Sequence, residues 1–178
     1  RSAGTLGHGT KFLSEKDQRL LTCALQNMRM SCNSTYLLDQ ETDHGVKADE
    51  LAALLDGVFL QPDAKAVVFS QWTRTHDIVI RRLEDRGIGY VSFHGGVPSD
   101  GRPALVERFR ADPHCRVFLS TDAGAVGLNL QHASTLVNMD LPWNPALLEQ
   151  RIGRIHRMGQ TRPVQIVNFV AKGSIEEG

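Results

Sequence analysis

The chain has 178 residues, of which 41% are hydrophobic and 22% are charged, and its formal net charge is zero. This length and composition are those of one globular domain, which buries a core without disulfide bonds or metal ions. Zero net charge excludes nucleic-acid binding through overall charge, so any such binding requires a local basic patch. No apolar run approaches the roughly 18 residues of a membrane span, so we expect no membrane partner.

The N-terminal quarter of the sequence predicts a lead-in followed by two helices. Residues 1–13 are rich in Gly, Ser and Thr and predict a loose segment. A capping pattern at the start of 14–29 predicts a mostly helical run. Residues 39–46 are polar and predict a loop, and leucines at helical spacing predict a helix over 48–60.

Cysteine and histidine spacing gives no metal or disulfide pattern. The three cysteines are odd in number and widely spaced, and the seven histidines include no His-x-x-x-His pair. We therefore predict no metal site in this chain and free thiols in a reducing compartment.

After Pro62 the pattern changes to short apolar runs that alternate with helical patterns. Runs rich in Val, Ile and Phe predict strands at 66–69, 89–93, 116–119, 135–139 and 164–170. The segments between them predict helices at 74–86, 103–111 and 145–158. Such alternation predicts an α/β fold, a parallel sheet flanked by helices on both faces. We predict a lead-in over 1–46 and the main domain over 47–178.

Polar and aromatic residues follow four of the predicted strands. In open parallel sheets, ligands bind beyond the carboxyl ends of the strands, and these ends lie at one edge. The four segments are Ser70-Gln71-Trp72, His94-Gly95-Gly96, Ser120-Thr121-Asp122-Ala123-Gly124 and Asp140-Leu141-Pro142-Trp143-Asn144. We predict that this edge carries the function.

Three arginines lie at spacing three near the C-terminus: Arg151, Arg154 and Arg157. If the helix runs over 145–158, they share one broad face. From Gln150 through Ser174 there is no Asp or Glu. A guanidinium is suited to bidentate contact with phosphate, so we predict that an anion from outside balances this charge.

Several of these segments resemble the motifs of one enzyme family. Residues 150–160, QRIGRIHRMGQ, resemble motif VI of superfamily 2 helicases, and the final Met-Gly-Gln is typical of the Swi/Snf branch. Further resemblances are STDAGAVGLNL at 120–130 to motif V, KAVVFSQW at 65–72 to motif IV, and the Trp-Asn-Pro at 143–145 to the triplet before motif VI. The resemblance covers about residues 20–177.

The resemblance implies the second of two RecA-like lobes, with ATP bound in the cleft between them. The first lobe, part of the same polypeptide, would hold the phosphates and Mg²⁺. Arg154 and Arg157 would be arginine fingers, which stabilise charge on the transferring phosphoryl group. Gly127 and Asn129 would approach the ribose, and Gln150 would help to place motif VI at the cleft.

The same resemblance implies contact with double-stranded DNA. Ser70, Gly95, Thr121 and Trp143 match positions that lie at the duplex backbone or groove. Hydroxyls and glycine amides contact phosphates without reading sequence, and an aromatic side chain can wedge against the minor groove. The expected partners are the first lobe, double-stranded DNA and a DNA-bound protein cargo. The expected location is the cytoplasm of a bacterium or the nucleus of a eukaryote.

The sequence lacks the motifs that hold ATP in such motors. It contains no Gly-x-x-x-x-Gly-Lys-Ser/Thr and no Asp-Glu-x-His. We therefore predict that this chain alone binds no ATP or Mg²⁺ stably and has no hydrolase activity. Two other functions stay open from the sequence: a lobe of another superfamily 2 helicase or translocase, and a freestanding non-catalytic module that binds phosphate or nucleic acid.

Overall fold

The computed structural model describes residues 7–8, 19, 22, 25–26, 34–38, 44–93, 99–142, 144–156 and 163–171. The strands are β1 Gly7–His8, β2 Ser34–Leu38, β3 Ala66–Phe69, β4 Gly89–Phe93, β5 Cys115–Ser120, β6 Thr135–Asn138 and β7 Gln165–Ala171. The helices are α1 His44–Val58, α2 Thr73–Asp85, α3 Arg102–Ala111 and α4 Pro145–Gly153, and a 3₁₀ turn spans Ser99–Gly101.

The strands form one sheet in the order β1-β2-β7-β6-β3-β5-β4. Strand β1 is antiparallel to β2, and all other neighbours are parallel. The predicted α/β fold is confirmed, and the five predicted strands are β3 to β7. The prediction missed β2, which pairs with β7 although it precedes the main domain predicted to begin at residue 47. That boundary stays a prediction.

Both faces of the sheet are buried, which explains the continuous apolar strands. Along β3, Val67 and Phe69 belong to one core cluster, while Ala66 and Val68 belong to the other. The first cluster contains side chains of α3 and α4, and the second contains side chains of α1 and α2. Because successive residues of a strand point to opposite faces, each central strand contributes to both cores.

The boundaries of two predicted segments were wrong. Helix α1 begins at His44, inside the segment predicted as a loop over 39–46. Helix α4 ends at Gly153 instead of continuing to residue 158. The predicted cap at its start is confirmed, because Asn144 Oδ1 accepts a bond of 3.0 Å from the amide of Ala146. Of the helix predicted over 14–29, the structure describes residues 19, 22, 25 and 26, all helical.

A tertiary bond explains why α4 ends early. The carbonyl of Arg154 accepts a 2.8 Å bond from the amide of Leu130. The amides of Arg154 and Ile155 bond to carbonyls only three residues earlier, which tightens the chain into a turn. The helix therefore gives way to a turn at Arg154, so Arg151 lies in the last helical turn and Arg154 just after it, while Arg157 lies outside the described residues.

Two cations, the buried Lys65 and the partly buried Arg116, hold the amino-terminal side of the sheet. Lys65 donates its ammonium to the carbonyls of Phe109, Asp112 and Cys115, which fixes the C-terminus of α3 against β5. Burial lowers the pKa of Lys65. Arg116 similarly donates to the carbonyls after α1, those of residues 59, 61 and 64. These side chains act on the fold, at the edge opposite the predicted site.

The start of β4 requires a glycine. A Cβ added to Gly89 would lie 2.2 Å from the carbonyl oxygen of His114, which is backbone and cannot rotate away. Gly57, near the end of α1, has no atom within 4 Å of such a Cβ. The two glycines are therefore a matched pair for testing the packing of this edge.

We expect Gly89→Ala to lower the free energy of unfolding by about 1–3 kcal/mol, because backbone must shift to admit the methyl group. Gly57→Ala should raise it by up to about 1 kcal/mol, since Ala favours helix. Urea denaturation monitored by circular dichroism measures both. Equal effects of the two substitutions would contradict the close approach at Gly89.

Candidate functional site

The carboxyl ends of the central strands meet at one edge, as predicted. In the sheet register, Phe69 on β3 lies opposite Ser120 on β5 and Asn138 on β6. Asn138 in turn lies opposite Asn168 on β7. The residues that follow these strands are therefore close neighbours, although they are far apart in the sequence.

Arg151 is buried at this edge and pairs with two carboxylates. Its Nε donates to Asp122 Oδ1 at 2.6 Å and its Nη2 to Asp122 Oδ2 at 2.9 Å, a bidentate pair. Nη2 also donates to Asp140 Oδ1 at 3.1 Å. The side chain of Arg151 is only 1% exposed. Asp122 follows β5 and Asp140 follows β6, so the pair joins two strand ends to α4.

Neutral acceptors take the remaining donors of Arg151. Nη1 donates to the carbonyl of Asp140 at 2.6 Å and to Asn138 Oδ1 at 3.1 Å. Asn138 Nδ2 then donates to Asn168 Oδ1 at 2.7 Å. The guanidinium carbon lies 5.4 Å from the centre of the Phe69 ring. All five N–H groups of the guanidinium thus have acceptors inside the protein.

The charges of this cluster balance. Burial disfavours the charged form of Arg151, but its bonds to Asp122 and the charge of Asp140 more than offset this and raise its pKa. Lys47 on α1 lies near Asp140 and donates to the carbonyl of Met139 at 3.5 Å. Burial lowers the pKa of Lys47, and Asp140 acts in the opposite direction. Two cations therefore meet two carboxylates.

Asp140 also fixes the segment after β3. Its Oδ2 accepts a 2.6 Å bond from Ser70 Oγ and a 3.3 Å bond from the amide of Gln71. Ser70 Oγ in turn accepts a 3.2 Å bond from the amide of Trp72. Ser70 is fully buried, whereas the Trp72 side chain is 56% exposed. The predicted DNA contact of Ser70 stays a prediction, and its hydroxyl is already engaged.

Arg154 differs from Arg151 in its surroundings. It caps the C-terminus of α4, is half-buried, and lines a small crevice with Gln150, Arg151, Asp122 and Val126. Both Asp122 oxygens already accept from Arg151. Across residues 44–93, 99–142 and 144–156, no carboxylate forms an ion pair with Arg154. Within these ranges, therefore, no carboxylate neutralises the charge of Arg154.

Motif V forms a compact turn beside this crevice. Thr121 Oγ1 accepts a 3.0 Å bond from the amide of Gly124, where a Cβ would lie 2.4 Å from the Phe93 ring. Gly127 has φ +78°, a backbone conformation that favours glycine. Asn129 is exposed and its side chain accepts from the amide of Gln131.

The structure sorts the predicted site residues into three groups. Arg154, Gln150, Gly127, Asn129 and Thr121 lie at or near the motif V and motif VI edge, with Gln150, Gly127 and Asn129 exposed. Ser70 lies beneath the surface. The remaining predicted residues are outside the described part of the chain: Arg157, Gly95 and Trp143.

The expectation that an external anion balances all three arginines was wrong for Arg151. Its partners are 29 and 11 residues away in the sequence, so the acid-free stretch around it gave no sign of them. Sequence reasoning noted Asp122 and Asp140 only as polar residues after strands. It also missed Lys47. The position of both aspartates after consecutive predicted strands of one parallel sheet was the available signal.

Other surfaces are less suited to a phosphate ligand. A wider groove lies between α1 and the amino ends of β6 and β7, and no charged residue lines it. Within the described residues, no group of three or more His, Cys, Asp or Glu side chains is placed to hold a metal ion. None of the helices described is both long and apolar enough to traverse a bilayer.

Comparison with known proteins identifies the family. The model for the helicase conserved C-terminal domain matches residues 46–159. The chain belongs to this family. It is 37% identical over 147 residues to DNA repair protein RAD5A of Arabidopsis thaliana, and 38% identical over 131 residues to helicase SWR1 of Yarrowia lipolytica. These matches cover 81% and 73% of this chain and 14% and 7% of the two relatives.

A solved structure supports the same assignment. The crystal structure of the C-terminal part of the Fun30 ATPase domain superposes with a TM-score of 0.68 and 26% identity, covering 94% of this chain and 53% of that one. The chain is thus the C-terminal RecA-like lobe of a Swi/Snf-family, superfamily 2 ATPase, and the resemblance of its motifs is confirmed. The chain spans only 7–20% of the length of the relatives it matches, which are SWR1, RAD5A and the ATP-dependent helicase YqhH of Bacillus subtilis.

We expect Arg151→Met to lower the free energy of unfolding of this lobe by about 3 kcal/mol, because two partly buried carboxylates lose their cation. Arg82→Ala is the control, since Arg82 pairs with Asp49 at 2.6 Å on the surface. An exposed pair contributes about 0–1 kcal/mol. Urea denaturation with a shared m-value measures both, and equal shifts would contradict the structural role of Arg151.

Proposed function

We propose that this lobe belongs to an ATP-dependent translocase on double-stranded DNA, and that it supplies Arg154 and Arg157 as arginine fingers to ATP held by the first lobe. One observation carries the proposal. Arg151 is neutralised inside the protein, whereas Arg154, three residues later, forms no ion pair with a described carboxylate and lines a crevice between motifs V and VI. An unpaired guanidinium at such an edge is suited to a phosphate.

The residues around the crevice are of the types that contact a nucleotide at the surface of a lobe. Arg154 would stabilise the negative charge that develops on the transferring phosphoryl group, and Arg157 follows it by three positions. Gly127 and Asn129 are exposed residues of motif V, and Gly127 has no Cβ to obstruct an approaching ribose. The exposed Gln150 lies on the same helix end as Arg154.

The first lobe is a better source of Mg²⁺ ligands than the crevice of this lobe. Asp122 is the carboxylate that lines the crevice, and both of its oxygens accept from Arg151. We therefore propose that the first lobe supplies the metal ligands and the phosphate-binding loop. When bound with Mg²⁺, ATP supplies the phosphoanhydride bond that is hydrolysed. This lobe contributes positive charge and closes the cleft.

We propose that the edge after β3, β5 and β6 contacts DNA. Thr121 is partly exposed, and its hydroxyl retains a proton to donate to a phosphate. Gly95 and Trp143 are proposed contacts from the sequence. Because Ser70 is buried, we propose that it supports the contact by holding the amide of Trp72. The name of RAD5A, a DNA repair protein, supports DNA as the partner. A DNA-bound protein cargo and an intracellular location stay proposals.

In the full-length motor, we expect Arg154→Ala to reduce DNA-stimulated ATP hydrolysis by about 10³-fold, because the transition-state charge loses a positive partner. The dissociation constant for ATP should change little. A coupled phosphate-release assay and equilibrium nucleotide titration measure the two quantities. Arg110→Ala is the control, since Arg110 on α3 is exposed and pairs with Glu107. Unchanged turnover of the Arg154 variant would remove it from the mechanism.

The purified 178-residue chain should hydrolyse no ATP above background, with or without DNA. Its sequence contains no Gly-x-x-x-x-Gly-Lys-Ser/Thr motif, whose lysine binds the phosphates in such motors. The same assay on the full-length motor is the positive control. Sustained turnover by the pure chain, abolished by Arg154→Ala, would mean that this lobe carries a complete active site.

A further inference from the structure

We infer that Arg151 is a positioning residue that fixes the site of Arg154 and never contacts the nucleotide, an inference that rests on the proposed function of Arg154. The two residues belong to one run of arginines in the sequence. In the structure, Arg151 is buried and ion-paired, and it holds Arg154 in place at the crevice.

The bonding of Arg151 leaves no capacity for an outside ligand. Its side chain is 1% exposed, and all five N–H groups are directed at Asp122, Asn138 and Asp140. A phosphate could bind Arg151 only by displacing a carboxylate from a partly buried pair. Such a displacement would leave an unpaired, partly buried charge, which strongly destabilises the fold. Direct catalysis by Arg151 is therefore disfavoured.

The backbone of Arg154 is held on both sides. Its amide donates to the carbonyl of Arg151 at 3.2 Å, and its carbonyl accepts from Leu130 at 2.8 Å. The neighbouring Ile152 and Ile155 are fully buried in the core. Arg154 thus lies on a short turn whose position depends on the end of α4 and on the end of motif V.

The Arg151–Asp122 pair fixes these two elements to each other. Asp122 lies at the start of motif V, and Leu130 lies at its end. Motif V is therefore tied to α4 at its start by the ion pair and at its end by the bond to Arg154. Asp140 adds the segment after β6 to the same cation. Loss of the charge on Asp122 would weaken the ion pair that holds the start of motif V to α4, and it would leave the core residues unchanged.

Small displacements of Arg154 are expected to affect turnover more than binding. A catalytic group misplaced by about 1 Å can cost about 100-fold in rate, because the charge it must stabilise develops at one position. A merely structural ion pair would instead alter stability and leave the action of Arg154 intact. The two roles differ in whether the Asp122 and Arg154 substitutions act independently.

The test uses the full-length motor with Asp122→Asn, Arg154→Ala and the double variant. Asn keeps the size of Asp and removes its charge. We expect Asp122→Asn to lower the DNA-stimulated kcat about 10- to 100-fold with little change in the ATP dissociation constant. In the Arg154→Ala background, the same substitution should lower kcat by less than about twofold, because the group it positions is absent. Asp49→Asn, in the exposed pair with Arg82, is the control.

All rates are measured well below the melting temperature of each variant, because a modest loss of stability lowers that temperature by several degrees. Asp140→Asn is the second variant if Asp122→Asn does not fold, and the same non-additivity is expected. An equal loss of kcat in both backgrounds, or no loss from Asp122→Asn, would overturn the inference while leaving Arg154 a finger. Normal turnover of Arg154→Ala would overturn the proposed function itself.

Discussion

The buried pairing of Arg151 is the constraint on which the site depends. A guanidinium taken out of water must satisfy all its donors and meet opposite charge, or the fold is destabilised by several kcal/mol. Here the acceptors come from the ends of β5 and β6 and from Asn138. The pair therefore exists only when two strand ends and α4 hold one relative position. The same position brings Arg154 to the crevice.

Neighbouring arginines of one sequence motif have different electrostatic surroundings. The field around Arg151 is cancelled by Asp122 and Asp140, so it contributes little attraction to a distant anion. Arg154 is half-buried without a described carboxylate, and its charge extends into the crevice. A cation at a partly desolvated edge interacts more strongly with phosphate than the same cation in water. The formal net charge of zero gives no sign of this difference between Arg151 and Arg154.

Charged residues at the two ends of the strands contact different kinds of partner. At the amino-terminal edge, Lys65 and Arg116 donate to backbone carbonyls, which joins helix ends and loops to the sheet. At the carboxyl-terminal edge, the polar network around Arg151 extends through Asp140 and Ser70 to the amide of the exposed Trp72. Both ends of the strands are thus held by buried or partly buried cations, one end through backbone carbonyls and the other through an ion pair.

The sequence by itself determined most element types, the parallel sheet and the family, and it predicted the edge at which the site is proposed. Apolar periodicity and family motifs are local signals, so they were sufficient for strands such as 66–69 and for the cap at Asn144. Only the tertiary structure decided where α4 ends, because its last turn depends on a bond from Leu130. It also decided that Arg151 is an anchor and Arg154 is available, because the partners of Arg151 lie on other strands. Charge pairing depends on distance in space, and residues 11 and 29 positions apart become neighbours only when the sheet forms.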